Sequence, residues 1–513
     1  MRFRLAAIVL VSVASVRIVA TYKALSQTTD EPAHLAAGME WLERGTYTYE
    51  PQHPPLARVA GAIGLRFAGV PFMHSGDLFL DGDRMLGYGH RYDHNLFYGR
   101  LAILPFFWIA CAVVFLWARR ISGDAAAVTA VLIFTTIPPV LGHAGLATTD
   151  MALAAFTGAA AFAGWIWIEK PSVKRSLVFG VLAGLAVSSK FSALVFIPAA
   201  LIALYGFSSR PALRSLIRPA LMSALAACCV MTTVYRFAPL PALYEGIQAV
   251  WRHNAAGHPA WLLGRRSLHG FWYYFPVVSG LKTPLALLIL TIAAMGRRVA
   301  AAPLAFAGAV ILAASFGSIN IGIRHILPIF IGLSVGCGTA AAQWISTGGT
   351  PVRVVFLLLI GWQIVSGALC HPEYIAYTNE LAGSRPDRLL ADSDLDWGQD
   401  MKLLAKRIYR LGVPDFTFKM SDGGYIAAGN DFPFVVQMPD GDRPRPGWNA
   451  VAITAWRTTG EPRWAEKTEP RERIGRSILL YYFPEQASPR GEILIPSLNA
   501  PAERNRTHLD TGR

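Results

Sequence analysis

Apolar runs of 17 to 22 residues recur along this chain. Each is long enough to cross a hydrocarbon core of about 30 Å as a helix. Within lipid every backbone polar group must be satisfied internally, so such a chain folds as a polytopic α-helical membrane protein. Composition agrees: of the 513 residues 53% are hydrophobic and 16% charged, against roughly 25% charged in a soluble protein. The five cysteines, Cys111, Cys228, Cys229, Cys337 and Cys370, sit in or at the ends of apolar runs. They read as packing residues rather than disulfides or ligands. The start, Met1-Arg2-Phe3-Arg4 and then Leu5 to Ala20, reads as a retained signal-anchor helix, since no A-x-A site follows it.

About eleven spans are expected, at 5–21, 100–118, 125–141, 151–168, 176–189, 191–207, 219–235, 275–296, 299–316, 326–345 and 354–370. With the N-terminus cytoplasmic, the inner segments hold thirteen basic residues: Arg2, Arg4, Arg119, Arg120, Lys170, Lys174, Arg175, Arg210, Arg214, Arg218, Arg297, Arg298 and Arg353. Only Asp124 and Glu169 oppose them. That asymmetry satisfies the positive-inside rule and accounts for much of the net charge of +14 without nucleic acid. The long loops 22–99 and 236–274 and the C-terminal region then lie outside. The segment 176–189 is short for a full crossing and is expected to meet 191–207 in a hairpin near the outer surface.

Residues 1–375 thus read as one transmembrane catalytic domain. After His371 the composition turns mixed and rich in Pro and Gly. Short strands are expected at 416–420, 434–438, 450–455 and 477–483, with an amphipathic helix from Asp400 to Tyr409. They outline a small α/β domain over 385–484, followed by a disordered tail, 485–513.

The chemistry concentrates at the outer ends of the spans. Thr28-Thr29-Asp30-Glu31-Pro32-Ala33-His34-Leu35 opens the first loop. Thr29 or Asp30 can cap a helix over 32–44, which is the simplest role for either. Gln52-His53-Pro54-Pro55-Leu56 forms a rigid turn into a second helix, 56–68. Asp150 closes Gly142-His143-Ala144-Gly145-Leu146-Ala147-Thr148-Thr149 and starts a span, where a carboxylate also suits the helix dipole. Three cations stand on the same side: Lys190, Lys282 and Arg324. Lys190 can snorkel to lipid phosphate; Lys282, well inside an apolar run, needs a partner or a wet cavity. The aromatic run Phe271-Trp272-Tyr273-Tyr274 suits an interfacial belt. A site that moves a sugar off a phosphate needs cations for the departing phosphate and a carboxylate for the nucleophile's proton.

At these residues the chain resembles glycosyltransferase family 39. That group contains the protein O-mannosyltransferases and, more distantly, the lipid A aminoarabinose transferases of the membrane GT-C class. The resemblance rests on Asp30-Glu31, His53-Pro54-Pro55-Leu56, Thr149-Asp150, Lys190, the stretch from Tyr274-Phe275-Pro276 to Lys282-Thr283-Pro284, and Arg324-His325-Ile326-Leu327-Pro328. His371-Pro372-Glu373-Tyr374 and Asp392-Ser393-Asp394-Leu395-Asp396-Trp397-Gly398-Gln399-Asp400 look like a bacterial subgroup. The resemblance implies inverting transfer from a polyprenyl-phosphate-linked sugar to a hydroxyl acceptor at the extracytoplasmic face of an inner membrane. Asp30 matches the base and Asp150 a second acidic site residue. Glu31, His34, His53, Lys190, Tyr274, Lys282, Arg324 and His325 are the implied substrate contacts. Ala57-Arg58 follows Leu56 where protein mannosyltransferases typically continue with Gly-Lys, so sugar and acceptor stay open.

No cofactor is assigned. A divalent cation is one option, with His34, His53, His143, Asp30 and Glu31 as candidate donors, but none shows ligand spacing such as H-E-x-x-H, and no metal ligand is named. The acidic segment 392–400 lacks an EF-hand's spacing and reads as a loop-to-helix junction on the catalytic face. Two rival classes remain. A lipid-linked-sugar transporter or flippase would place its charges near the bilayer midplane, usually with repeats. A non-catalytic subunit of an envelope complex would use 394–400 for docking.

Overall fold

The computed structural model describes residues 1–513 except 209–210, 238, 421–431, 433, 439–442 and 485–513. The expected disordered tail lies outside the described residues. Among those described, six helices are long and apolar enough to cross a membrane, or seven if one bent pair counts as a single span. Two shorter apolar helices, Ala193–Tyr205 and Arg298–Ala314, accompany them. The expected spans map onto these helices with two local features. Those placed at 100–118 and 125–141 fall on either side of a kink in Leu104–Phe134 at Gly123, where φ is 81°. The span placed at 275–296 is two helices, Tyr274–Lys282 and Leu285–Met295, bent by 114°. Thr283-Pro284 makes that break, since proline disfavours helix at the residue before it and supplies no N–H.

Small residues set the helix spacing, as is usual where packing rather than water exclusion drives association. A Cβ on Gly338 would lie 2.7 Å from the Ala130 backbone nitrogen, so Ile329–Thr347 and Leu104–Phe134 cross nearly in backbone contact. In the first loop, helix Asp30–Arg44 crosses Pro55–Phe67 in the same manner. A Cβ on Gly38 would meet the Arg58 carbonyl oxygen at 2.2 Å. Two more loop helices, Leu78–Gly87 and Tyr92–Leu101, complete a cap over one end of the bundle.

Beyond the bundle a five-stranded sheet runs in the order Phe434–Gln437, Asp415–Lys419, Gly447–Ala452, Ile478–Phe483, Glu472–Ile474. Its first two pairings are parallel and its last two antiparallel. The amphipathic helix Met401–Leu411 buries Leu404, Ala405 and Ile408, and Leu404 and Ile408 pack against Phe416, Phe418, Ala450 and Leu480. The strand expected to reach 455 stops at Ala452, and the chain continues as helix Ile453–Thr459. Arg457 pairs with the buried Asp387 at 2.7 Å, and its carbonyl accepts from Arg266 Nε of the 236–274 loop at 2.6 Å, which ties the sheet domain to that loop. Lys402 adds a bond of 2.5 Å to Asp93 of the cap.

Asp396 and Asp400 also sit in this junction. Asp396 Oδ2 accepts from Thr454 N at 2.9 Å, and Asp400 Oδ2 from Ser477 N at 3.0 Å. Burial still lifts both carboxyls, to about 7 and about 6. A carboxyl raised on folding holds its proton where the unfolded chain has released it, so its contribution to stability is lost as pH rises through those values. The thermal unfolding midpoint of the full chain is therefore expected to be a few degrees higher at pH 5 than at pH 8. Asp396→Asn should raise the pH 8 midpoint and shrink the difference.

Candidate functional site

The geometry begins with two adjacent carboxylates that take opposite roles. Glu31 is fully buried, and its oxygens accept from Arg100 Nε and Nη2 at 2.8 Å each. They also accept from Ala147 N at 2.8 Å and Thr28 N at 2.7 Å. Burial alone would raise this carboxyl, but Arg100 and the two backbone N–H groups outweigh it and hold it below the usual carboxylate range. The Glu31 carboxylate, expected as a substrate contact, is thus occupied by protein donors. It fastens the start of helix Asp30–Arg44 to the loop before Asp150. Glu31 reaches back to Thr28 N in the manner of a capping box, while the N-cap residue, Thr29, makes no side-chain cap bond and Asp30 is the first residue of the helix.

Asp30 turns the other way. Its side chain is 31% exposed, and Oδ2 lies 2.9 Å from Arg324 Nη1. Arg324 comes from the short turn Ile323–Ile326, which enters after Gly322 at φ 87°. The same guanidinium nitrogen is 3.9 Å from Asp150 Oδ2. Asp150, the first residue of helix Asp150–Glu169, is 1% exposed and bonds Lys190 Nζ at 2.7 Å. Lys190 lies where helix Val173–Ser189 ends and the chain turns to Ala193–Tyr205. Two carboxylates and two cations thus alternate in one cluster, with only Asp30 substantially open. Isolated charges in an apolar bundle are costly; this alternation neutralises them.

Lys282 stays outside the cluster. It is fully buried at the 114° bend, and its ammonium donates to the carbonyls of Ile375, at 2.6 Å, and Asp394. The partner it needs is backbone rather than a ligand. Tyr274 is likewise internal, donating to Asp394 Oδ2 at 3.1 Å and accepting from Gly322 N at 3.0 Å. His325 stacks on Phe275 and meets Phe196 edge-on, with centroids 5.5 and 5.8 Å away. The side chains of all three are thus engaged by protein partners, Tyr274 through the N–H of Gly322 at the entry to the Arg324 turn.

The histidines gather on the other flank. His34 Nδ1 accepts from Arg58 Nε at 2.9 Å, and its ring meets His53 edge-on at 5.1 Å. Burial and the Arg58 charge hold His34 well below the ordinary histidine value. His53 Nδ1 lies 3.0 Å from Glu50 Oε2, which also pairs with Arg58. Burial lowers His53 too, against the pull of Glu50. Sequence reasoning missed Glu50 and Arg58, although eight residues apart across a diproline turn is a readable pairing. It also missed His258, whose Nε2 is 3.3 Å from Asp392 Oδ2. Asp392 raises His258, and no local signal links residues so far apart in sequence.

The donors considered for a divalent cation do not assemble as a ligand set. Glu31 is saturated, His34 is taken by Arg58, and Asp30 shares Arg324 with Asp150. Among the described residues no three His, Cys, Asp or Glu side chains form a metal-holding group. Chemically, the cluster offers an accessible carboxylate that can accept a proton beside two cations that can hold an anion.

Residues 93–235 match the family described as dolichyl-phosphate-mannose-protein mannosyltransferase. That segment includes Asp150 and Lys190. The crystal structure of ArnT from Cupriavidus metallidurans bound to undecaprenyl phosphate aligns over 92% of this chain and 97% of its own, with TM-score 0.51 and 13% identity. Its apo state aligns over the same shares with TM-score 0.50 and 12% identity. Archaeal oligosaccharyltransferase AglB from Archaeoglobus fulgidus, in complex with an inhibitory peptide and a dolichol-phosphate, covers 94% of this chain and 74% of its own at TM-score 0.46 and 12% identity. No curated protein sequence matches the chain significantly. The likeness to ArnT is one of fold, the GT-C fold.

Removing one member of a buried ion pair strands the other, at a cost of about 3–5 kcal/mol. Glu31→Ala is therefore expected to lower the thermal midpoint and yield of folded protein sharply. Asp30→Asn, at a half-open pair, should cost below about 1 kcal/mol. Thermal unfolding of the two purified full-length variants checks the contrast.

Proposed function

We propose that this chain, which carries the GT-C fold and a segment matching the dolichyl-phosphate-mannose-protein mannosyltransferase family, is a membrane glycosyltransferase. It moves a sugar from a polyprenyl-phosphate-linked donor to a hydroxyl of a protein, lipid or envelope glycan. One observation carries the reading: the open Asp30 carboxylate lies 2.9 Å from Arg324, with the sealed Asp150–Lys190 pair behind. The ArnT structure of the same fold contains undecaprenyl phosphate, which supports a lipid-phosphate donor here.

Arg324 neutralises Asp30 in the structure. A donor phosphate arriving beside Lys190 competes for the same guanidinium, whose planar fork fits phosphate in two-point contact. Asp30, released, takes the proton of the acceptor hydroxyl. The acceptor oxygen attacks the anomeric carbon from the face opposite the phosphate, forming a new C–O bond as the bond to phosphate breaks. The bond electrons leave with the phosphate, which departs as a lipid phosphate monoester stabilised by Arg324 and Lys190. Configuration inverts, and no acid is needed for so good a leaving group. Asp150 acts by holding Lys190 and Arg324 in place.

The charge pattern supports an extracytoplasmic site in a bacterial inner membrane. Arg2 and Arg4 start helix Arg2–Ala24, and its other end leads directly to Asp30. At 1.5 Å per residue, a helix of 23 residues sets those ends about 34 Å apart. Arg119, Arg120, Arg297 and Arg298 fall in inner segments by the same reading.

The test is release of free polyprenyl phosphate from a panel of polyprenyl-phosphate hexoses. It uses the purified chain and envelope acceptors from a deletion strain. Asp30→Asn is expected to reduce release about 10²–10⁴-fold, the range for loss of a general base. Wild-type release in Asp30→Asn, or movement of intact lipid-linked sugar across vesicles without cleavage, would count against the enzyme and favour a transporter.

A further inference from the structure

None of those steps uses the segment from Asp392 to Asp400, yet it touches both members of the Asp30–Arg324 pair. On one side it holds the arginine. The Trp397 ring faces the guanidinium, with the central carbon 4.0 Å from the ring centroid. Arg324 Nε donates to Ser393 Oγ at 3.0 Å and to Ile321 O at 3.1 Å, and the Ser393 hydroxyl donates to that same carbonyl at 2.6 Å. On the other side it holds the connecting segment that leads into Asp30. Thr29 N donates to Trp397 O at 3.0 Å, and Ser26 N to Gln399 O at 2.9 Å.

The segment is itself fixed. Gln399 Oε1 accepts from Trp397 N at 2.7 Å, and Gln399 Nε2 donates to Leu395 O at 2.8 Å. Asp394 Oδ1 accepts from Ile323 N at 2.9 Å, inside the turn that carries Arg324. Asp392 adopts φ 55°, in the left-handed region that Asp tolerates better than most residues, and its side chain is held by His258. Unusual backbone of this sort persists where surrounding contacts over-determine it.

The consequence for Arg324 is geometric. With Nε turned inward to Ser393 and Ile321 O and one face covered by Trp397, Nη1 is held toward both Asp30 and Asp150. We propose that Trp397 and Ser393 are positioning residues for the transferase proposed above. They fix the guanidinium plane so that its outer edge, which meets Asp30 through Nη1, is the edge offered to the lipid phosphate. A Lys at 324 would have neither the plane to stack nor the Nε–H to anchor.

The experiment measures binding of undecaprenyl phosphate to the purified full-length protein in phosphatidylcholine nanodiscs. The variants are Arg324→Ala, Trp397→Leu, Trp397→Phe, Ser393→Ala and the double changes with Arg324→Ala. Trp397→Leu is expected to weaken binding roughly tenfold, the scale of a desolvated cation–π contact. Trp397→Phe should recover most of the loss. Ser393→Ala should cost roughly fivefold, the scale of one ordinary net hydrogen bond, because Ile321 O still accepts from Nε.

In the Arg324→Ala background neither further change should matter, because a residue acting only through Arg324 has nothing left to position. A purely structural role would instead give additive losses, and that outcome overturns the proposal. Wild-type binding by Trp397→Leu or Ser393→Ala, with Arg324→Ala impaired, overturns it as well. Equal binding by wild type and Arg324→Ala removes the phosphate role of Arg324 and takes this inference down with it. If Trp397→Leu does not fold, the Ser393→Ala cycle decides alone.

Discussion

Arg324 joins a carboxylate from the first loop to one at the head of a central helix, and the arrangement of the site follows from that junction. It lies 2.9 Å from Asp30 and 3.9 Å from Asp150, far from both in sequence. Charges at the end of an apolar bundle are tolerated only where partners neutralise them. Here the sealed Asp150–Lys190 pair supplies a fixed, neutral base on which the open pair rests. The open pair can exchange partners, because one of its members still reaches water.

The contrast between Asp30 and Glu31 shows how environment divides roles between like side chains. Glu31 has all its acceptor capacity filled by Arg100 and backbone N–H groups, so it holds the fold together. Asp30 makes one ion pair and stays 31% exposed, so it can act. The helix they share forces the two side chains to diverge. Immobilising the first therefore aims the second.

Much of this could be read from residue types at the ends of apolar runs. Asp30, Asp150, Lys190 and Arg324 were visible because charges there need a reason. Lys282 looked equivalent but is not. Its partners are carbonyls of Ile375 and Asp394, and a backbone partner leaves no mark in a sequence. The sequence also reads as one continuous span across the helix break at Thr283-Pro284 that brings it there, because hydropathy averages across a proline. The short strands and the amphipathic helix Met401–Leu411 were legible from period alone. The contacts of the 392–400 segment with Arg324 were not. They join positions about seventy residues apart through one ring face and one hydroxyl, which no local pattern encodes.

The most direct measurement is a cryo-EM structure of the full chain with undecaprenyl phosphate in a lipid nanodisc. Phosphate oxygens are expected within about 3 Å of the Arg324 terminal nitrogens and Lys190 Nζ, with Asp30 detached and facing the opening. A phosphate seated elsewhere, with the Asp30–Arg324 contact unbroken, would contradict the exchange of partners on which the mechanism rests.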